Sequence, residues 1–229
     1  MKFGIVVFPG SNCDRDMYYV LKNIYNQDVV FLWHKDSSLQ KVDGVILPGG
    51  FSYGDYLRSG ALAKFSPIMQ EIKKFAEAGN FVLGICNGFQ ILCEAGLLPG
   101  ALLPNTNQKF ICENIYITPT NYNTLLTSHI PRGKVLKIPI AHAEGRYYAN
   151  EETLRELNLN NQIIFKYSNK EGEPVMKANP NGSEENIAGI CNEGFNVFGM
   201  MPHPERASDL EYRNTDGRYI FNSIIESLL

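Results

Sequence analysis

The first half of the chain alternates short, uninterrupted apolar segments with amphipathic stretches, and this alternation restricts the possible folds more than any other feature. Residues 3–8 are apolar and stop at Pro9-Gly10. Apolar side chains then recur at helical spacing, at Met17, Val20, Leu21 and Ile24. An uninterrupted apolar run predicts a strand buried on both faces of a parallel sheet, and the helical spacing predicts a helix packed on that sheet. We therefore expect an α/β fold with a doubly wound, mostly parallel sheet.

The same patterns predict the remaining elements. In the first half, strands are expected at residues 29–33, 44–47 and 81–85, and a helix at residues 61–78. In the second half, strands are expected near residues 110–117, 134–141, 162–167, 187–190 and 197–200, several of them forming an antiparallel extension of the sheet. A hairpin or surface loop is predicted at residues 168–185 and a closing helix at residues 215–229. Because no repeat or linker interrupts the chain, residues 1–229 are expected to form a single domain.

Composition and charge argue against several classes of protein. The 229 residues are 44% hydrophobic and 20% charged, which suits a globular protein with one substantial core. A net charge of −3 without a long Lys/Arg run predicts no binding of nucleic acid or anionic membranes. The sequence has neither a long apolar span nor a secretory signal, so a cytoplasmic location is expected.

The cysteines and glycines do not form the common metal or nucleotide motifs. The five cysteines are odd in number and scattered, at positions 13, 86, 93, 112 and 191. This spacing matches neither a disulfide framework nor paired CxxC zinc motifs, so we expect free thiols and no metal. Neither GxxxxGK[ST] nor GxGxxG occurs, so no cofactor or nucleotide site is expected in this chain.

Cys86 stands where a predicted strand runs directly into a predicted helix. Gly84 and Gly88 flank it and allow strand and helix to approach closely around a sharp turn. This arrangement is typical of a nucleophile elbow, with sulfur in place of a serine hydroxyl. The helix N-terminus would favour the thiolate form. An inert, buried cysteine at a tight turn is the alternative, and core packing is the interpretation for Cys93.

A second candidate group follows the last predicted strand, in Met201-Pro202-His203-Pro204-Glu205-Arg206. Pro204 biases His203 towards an extended conformation, in which residues two apart face the same side. A catalytic base needs one ring nitrogen aimed at the nucleophile and the other held by an acceptor, a role that suits Glu205. By itself, the motif is also compatible with a capping histidine and a surface glutamate.

A third candidate group is Pro48-Gly49-Gly50, at the C-terminal end of a predicted strand. Open α/β sheets bind ligands at that edge. Adjacent glycines let a backbone N–H approach a tetrahedral intermediate, and the N–H groups of Gly50 and Asn87 would together form an oxyanion hole. Taken alone, Pro-Gly-Gly is also an ordinary turn.

Together, residues 84–90 and 202–206 resemble the class I glutamine amidotransferases, which are glutaminases with a Cys-His-Glu triad. Further stretches are similar to the glutaminase subunits of phosphoribosylformylglycinamidine synthases: residues 8–16, 48–58, 140–142 and 179–183. These stretches are spread over nearly the whole chain. The resemblance implies the flavodoxin-like fold of the class I glutamine amidotransferases.

The resemblance also implies roles for individual residues. Cys86 would be the nucleophile, His203 the acid/base and Glu205 its orienting group. The remaining implied site residues are Gly50 and Asn87 for the oxyanion and Gln90, His142 and Gly145 for glutamine. Ala143 stands where the family usually has glycine, so strain is expected there if the position requires a positive φ.

By the same resemblance, the Cys86 thiolate attacks glutamine, and ammonia passes to a partner. The implied partners are a large synthetase subunit and a small accessory subunit. The synthetase subunit would use ATP and Mg²⁺ to convert formylglycinamide ribonucleotide to formylglycinamidine ribonucleotide. The isolated chain is expected to be nearly inactive until the partner sets the loop around Gly49 and Gly50.

Three other interpretations stay open. A cysteine peptidase or chaperone-like protein on the same scaffold would also have a cysteine elbow, but it does not predict His203-Pro204-Glu205. A non-catalytic regulatory subunit is opposed by the intact Cys, His and Glu set. A glutaminase of another pathway is opposed by the matches at residues 50–58 and 179–183.

Overall fold

The computed structural model describes all residues 1–229. Its strands are β1 (Lys2–Val7), β2 (Asp28–Trp33), β3 (Gly44–Leu47), β4 (Phe81–Ile85), β5 (Ala101–Leu103), β6 (Ile111–Pro119), β7 (Leu136–His142), β8 (Arg146–Tyr148), β9 (Ile163–Ser168), β10 (Ile187–Cys191) and β11 (Val197–Met200). Its α-helices are α1 (Asp14–Tyr19), α2 (Pro67–Glu77), α3 (Asn87–Glu94), α4 (Glu151–Leu159) and α5 (Arg218–Leu228). None of the helices has the length and apolarity that a membrane span requires.

The first of two compact units comprises Met1–Leu98 and Asn196–Gly199. Its strands lie in the order β2-β1-β3-β4-β11, and β1 pairs in parallel with β2 and β3, as β3 does with β4. β3 and β4 are buried throughout, as their uninterrupted apolar sequences require. Leu47 and Gly84 are partners in register, so the turns that follow these two strands leave the sheet at the same edge.

The second compact unit comprises Pro99–Phe195 and Met200–Leu229. Its larger group of strands lies in the order β10-β9-β6-β7 with antiparallel pairing, and β5 pairs with β8 in a separate small sheet. Alternating burial along β7 shows that this strand covers the core with one face only. α5 buries Ile220, Phe221, Ile224 and Ile225, a stripe at helical spacing.

The predicted α/β fold class is confirmed by the parallel strands of the first half and the antiparallel strands of the second. The predicted strands at residues 44–47, 81–85 and 197–200 match β3, β4 and β11 residue for residue. Apart from Ser168, which ends β9, residues 168–185 form the predicted loop, with short 3-10 turns at Met176–Ala178 and Glu184–Asn186. That residues 1–229 fold as one domain stays a prediction.

Two helix predictions were wrong in extent. The helix predicted at residues 61–78 begins only at Pro67, because a residue before proline is disfavoured in the helical region and Ser66 is extended (φ −65°, ψ 141°). The first predicted helix is present, as α1 followed by a π-helical segment, Val20–Ile24. The closing helix begins at Arg218 rather than at residue 215.

Sequence reasoning missed α4 and the short strands β5 and β8. The signal for α4 was present, because Asn150 caps it by accepting a hydrogen bond from the Thr153 N–H and two glutamates occupy its first turn. β5 and β8 have three residues each, too few to show a recognisable alternation of apolar and polar residues.

Gly88 allows α3 to approach β3 closely. A single methyl group added at this position should therefore destabilise the fold strongly. A Cβ at Gly88 would overlap the Leu47 carbonyl oxygen. Gly88→Ala should therefore lower the free energy of unfolding by about 3 kcal/mol, because the obstacle is backbone and cannot rotate away.

Gly79→Ala is the matched control, because Gly79 has φ +83° with nothing near its Cβ position. This variant should lower the free energy of unfolding by only about 1 kcal/mol, because alanine is strained in the left-handed conformation. Guanidinium denaturation of both variants measures the difference, and equal losses would contradict the close packing.

Candidate active site

Cys86 occupies a strained turn between β4 and α3. Its backbone lies at φ +50° and ψ −106°, a region that residues with a side chain rarely adopt. Cys86 is the N-terminal capping residue of α3 and is 5% exposed. A Cβ at Gly84 would lie 2.6 Å from the backbone of Gly88, so the two flanking glycines permit the close approach as predicted. The predicted elbow geometry is present.

Asn87 connects the elbow to the segment that follows β3. Its side-chain Oδ1 accepts a hydrogen bond from the Ser52 N–H at 3.1 Å, and its Nδ2 donates to Gln90 Oε1 at 2.9 Å. All three residues are buried. As the first residue of α3, Asn87 has a backbone N–H that the helix itself does not use. That N–H is thus suited to an oxyanion.

Residues 49–55, here called the glycine turn, follow β3 and are held by the segment after β1. The Gly49 carbonyl accepts hydrogen bonds from the N–H groups of Asn12 (3.2 Å) and Cys13 (3.0 Å), and the Phe51 N–H donates to the Gly10 carbonyl at 2.9 Å. None of these bonds uses the N–H of Gly50. Gly50 has φ +154°, and a Cβ there would lie 2.7 Å from the Asn12 nitrogen, so only glycine fits.

His203 and Glu205 form a buried pair in the second unit. His203 Nδ1 lies 2.6 Å from Glu205 Oε1, and the two residues are 1% and 2% exposed. Since the carboxylate accepts the Nδ1 proton, Nε2 is the nitrogen with the basic lone pair. The prediction that these side chains meet is confirmed. The predicted route was wrong, because Pro204 starts a 3-10 turn (Pro204–Ala207) instead of continuing an extended chain.

The turn that carries the pair is fixed on both sides. The His203 N–H donates to the Pro139 carbonyl of β7 at 2.8 Å. Ser208 Oγ donates to the Pro204 carbonyl at 2.7 Å, and the Gly217 N–H donates to the Ala207 carbonyl at 2.7 Å. The orientation of His203 is therefore set by backbone contacts as well as by Glu205.

His142 and Gly145 are organised around Asn105, which sequence reasoning missed. Asn105 Oδ1 lies 3.1 Å from His142 Nδ1 and accepts the Gly145 N–H at 3.0 Å, while Asn105 Nδ2 donates to the His142 carbonyl at 3.0 Å. His142 Nε2 is buried without a hydrogen-bond partner in the protein. Burial lowers the pKa of His142 to about 4, and the nearby His203 contributes to the lowering. His142 is thus neutral near pH 7.

The expected strain at Ala143 is absent, because Ala143 is not among the residues with positive φ. The close approach occurs instead at Gly145, where a Cβ would overlap the His142 ring. Asn181 lies in the stretch 179–183 that the resemblance singled out, but no role was predicted for it: its Nδ2 donates to the Gly145 carbonyl at 2.8 Å. A buried asparagine in a loop has no periodic signal, which explains why no role was predicted for Asn105 or Asn181.

Two of the other thiols are poor nucleophiles. Burial raises the pKa of Cys191 to about 12. Burial, together with the adjacent Glu94 carboxylate, raises the pKa of Cys93 well above its ordinary range. A thiol with a raised pKa contains little thiolate near neutral pH, so these two cysteines are unsuited to attack a carbonyl carbon.

The predicted site residues fall into two groups. Gly50, Cys86, Asn87 and Gln90 belong to the first compact unit, and His142, Gly145, His203 and Glu205 belong to the second. The first group offers a thiol at a helix N-terminus and backbone N–H donors. The second offers a carboxylate-oriented imidazole and a neutral buried histidine. These are the parts that thiol-based acyl transfer requires.

Comparison with known proteins gives matches over nearly the whole chain. Residues 1–219 match the model of the CobB/CobQ-like glutamine amidotransferase domain. Phosphoribosylformylglycinamidine synthase subunit PurQ of Koribacter versatilis is 53% identical over 228 residues, covering 100% of this chain and 99% of the relative. The subunit of the same name from Aquifex aeolicus is 53% identical over 225 residues, covering 98% and 99%.

Solved structures agree. A chain in the structure of PurLQS from Thermotoga maritima superposes with a TM-score of 0.88 at 43% identity, covering 100% of this chain and 99% of that one. A glutamine amidotransferase from Thermotoga maritima superposes with a TM-score of 0.59 at 14% identity, covering 100% and 97%, and supports the fold alone.

The buried His142 predicts a pH-dependent loss of stability. Its pKa is about 4 in the folded protein against 6.5 for a free histidine, so the unfolded chain binds an extra proton between these values. Stability from this group is complete above pH 6.5 and is lost as the pH falls towards 4, by about 3 kcal/mol in all.

His142→Gln should remove this dependence of the free energy of unfolding on pH. The contributions of the other titratable groups should be the same in the variant and in the wild type. Urea denaturation at pH 7 and pH 4.5 measures the difference between variant and wild type. His129→Gln, at a partly exposed histidine, is the control. Parallel stability curves for wild type and His142→Gln would contradict the assignment.

Proposed function

The chain belongs to the family of phosphoribosylformylglycinamidine synthase subunits PurQ, which are glutamine amidotransferases, and from this premise we propose that Cys86, His203 and Glu205 hydrolyse glutamine as a triad. The observation that carries the proposal is the strained backbone of Cys86 at the N-terminus of α3 (φ +50°, ψ −106°). Such strain persists where the surrounding structure enforces it, typically at functional sites.

In the first step His203 Nε2 takes the proton of the Cys86 thiol, and the resulting thiolate attacks the side-chain carbonyl carbon of glutamine. The carbonyl oxygen becomes an oxyanion, which accepts hydrogen bonds from the N–H groups of Gly50 and Asn87. His203 then gives its Nε2 proton to the leaving nitrogen, so that ammonia departs and a γ-glutamyl thioester remains on Cys86.

The second step returns the enzyme to its starting state. His203 Nε2 removes a proton from water, which attacks the thioester carbonyl, and glutamate leaves as the Cys86 sulfur departs and takes the proton back from His203. Glu205 stays ionised throughout and stabilises the imidazolium form of His203. His142, Gly145 and Gln90 are proposed to line the glutamine pocket.

The ammonia is proposed to pass to a large synthetase subunit, with a small accessory subunit in the same assembly. There, ATP-dependent chemistry would convert formylglycinamide ribonucleotide to formylglycinamidine ribonucleotide, and ATP and Mg²⁺ would belong to that subunit. Supporting this placement, the chain resembles a subunit in the structure of PurLQS from Thermotoga maritima. A cytoplasmic location is part of the proposal.

Removal of the nucleophile should separate glutamine use from ammonia use. In the reconstituted complex, Cys86→Ala should abolish glutamine-dependent amidation, since no thioester can form, and leave ammonium-dependent amidation unchanged. Cys93→Ala, on the same helix, should retain both activities. Glutamine-dependent synthesis by Cys86→Ala at the wild-type rate would refute Cys86 as the nucleophile.

A glutamine-like electrophile should label Cys86 before the other four thiols, and glutamine should protect it. The substrate-like group directs the reagent to the site, whereas Cys112 is merely exposed and Cys93 and Cys191 have raised pKa values. Peptide mass mapping after partial reaction gives the order. Earlier labelling of Cys93 or Cys191 would count against the assignment.

Glu205→Gln tests whether the triad includes the carboxylate. Loss of the charge weakens the imidazolium form of His203, so partner-bound glutaminase activity should fall about tenfold or more, and alkylation of Cys86 near neutral pH should slow. Glu211→Gln, at an exposed glutamate in the following turn, should behave as wild type. If Glu205→Gln and wild type give coinciding pH profiles for both measurements, a Cys-His dyad is sufficient.

A further inference from the structure

Tyr53, in the glycine turn, makes buried contacts that have no role in the proposed triad. Its phenol oxygen lies 2.7 Å from His34 Nδ1 and 2.9 Å from Ser66 Oγ. Its ring meets the His34 imidazole edge to face, with 5.5 Å between ring centroids. His34 and Ser66 are 4% and 3% exposed, so both bonds are shielded from water. A phenol held by two buried partners fixes the backbone that carries it.

Both partners are themselves fixed by the scaffold. The His34 N–H donates to the Val7 carbonyl at 3.0 Å, and the His34 carbonyl accepts from the Ile68 N–H at 3.2 Å. Ser66 precedes α2 but its hydroxyl makes no helix-capping bond, so it is available to Tyr53. Burial lowers the pKa of His34, as does the neighbouring Lys35, so the neutral imidazole is favoured beside the phenol.

The backbone at Tyr53 is strained. Tyr53 (φ +55°), Gly54 (φ +66°) and Asp55 (φ +54°) are three consecutive residues in the left-handed region. For residues other than glycine, this conformation is unfavourable and persists only when surrounding contacts impose it. The two phenol hydrogen bonds, with the bond from the Tyr53 N–H to the Pro9 carbonyl at 2.6 Å, are such contacts.

The strained segment is directly connected to the candidate oxyanion donors. Ser52, which precedes Tyr53, donates its N–H to Asn87 Oδ1. Phe51 donates its N–H to the Gly10 carbonyl. A shift of Tyr53 would therefore be transmitted both to Gly50 and to the Asn87 side chain, on the two sides of the oxyanion hole.

We propose that Tyr53 is a positioning residue for glutamine hydrolysis, clamped by His34 and Ser66 so that the glycine turn presents the Gly50 N–H to the oxyanion. This inference rests on the proposed function and adds residues to the same site. The oxyanion forms after substrate has bound. Loss of the clamp therefore acts on the chemical step more than on glutamine binding.

Tyr53→Phe removes the phenol oxygen and keeps the ring. In the reconstituted complex, kcat for glutamine hydrolysis should fall about tenfold, less than complete loss of an oxyanion donor, while KM for glutamine changes by less than about twofold. Alkylation of Cys86 should keep its wild-type rate, because the backbone conformation of Cys86 is set by the close packing at Gly84 and Gly88. Tyr56→Phe is the matched control, because Tyr56 lies in the same loop and is 69% exposed. It should behave as wild type.

Ser66→Ala provides a second, milder variant that removes one bond to the phenol. Its kcat should fall less than that of Tyr53→Phe, and the double variant should be no worse than Tyr53→Phe alone, because both act through one interaction. An unchanged kcat in Tyr53→Phe overturns the inference, and so does a parallel fall in Cys86 alkylation, which would show a disturbed elbow.

Failure of the proposed function has a different signature. Retained glutamine hydrolysis in Cys86→Ala would refute the nucleophile whatever Tyr53→Phe does. Wild-type ammonium-dependent amidation in every variant shows that the synthetase subunit remains competent, and co-elution of each variant with that subunit in size-exclusion chromatography shows that the complex is assembled.

Discussion

The close packing of the α3 N-terminus against the end of β3 is the constraint on which the candidate site depends. Gly88 lies so near the Leu47 carbonyl that no side chain fits, and Cys86 is forced into a strained conformation between strand and helix. The strain is tolerated because the surrounding core is dense and buried, with β3 and β4 inaccessible along their whole length. The result is a thiol at a helix N-terminus, where a developing negative charge is favoured.

The His203–Glu205 pair obeys a different constraint. A buried carboxylate and imidazole are costly to remove from water, and the cost is offset only by good geometry and further hydrogen bonds. The 2.6 Å contact and the backbone bonds of the turn supply both. Replacement of either partner would leave the other buried with a lost contact, so the pair is sensitive to substitution in a way that a surface ion pair is not.

The sequence predicted the parts of the fold that have a periodic or uninterrupted apolar pattern. β3, β4 and β11 were located residue for residue, and the cysteine elbow was recognised from its flanking glycines. The His203–Glu205 contact was predicted, but through an extended chain where the structure has a 3-10 turn. The hydrogen bonds that join Asn105 to His142 and Gly145 were not predicted. Those that join Tyr53 to His34 and Ser66 were not predicted either. Each depends on side-chain hydrogen bonds between residues distant in sequence, such as Tyr53 with His34, and these leave no pattern in the residue order.

The proposed triad requires that Cys86 carry the γ-glutamyl group during turnover. The direct measurement is rapid acid quenching of the partner-bound chain during glutamine hydrolysis, followed by mass analysis of the peptide that contains Cys86. We expect a γ-glutamyl adduct on Cys86 that appears with glutamine and disappears when glutamine is exhausted. An adduct on another residue during steady hydrolysis would contradict the proposed triad. So would the absence of any adduct, if single-turnover kinetics show that thioester hydrolysis is the slow step.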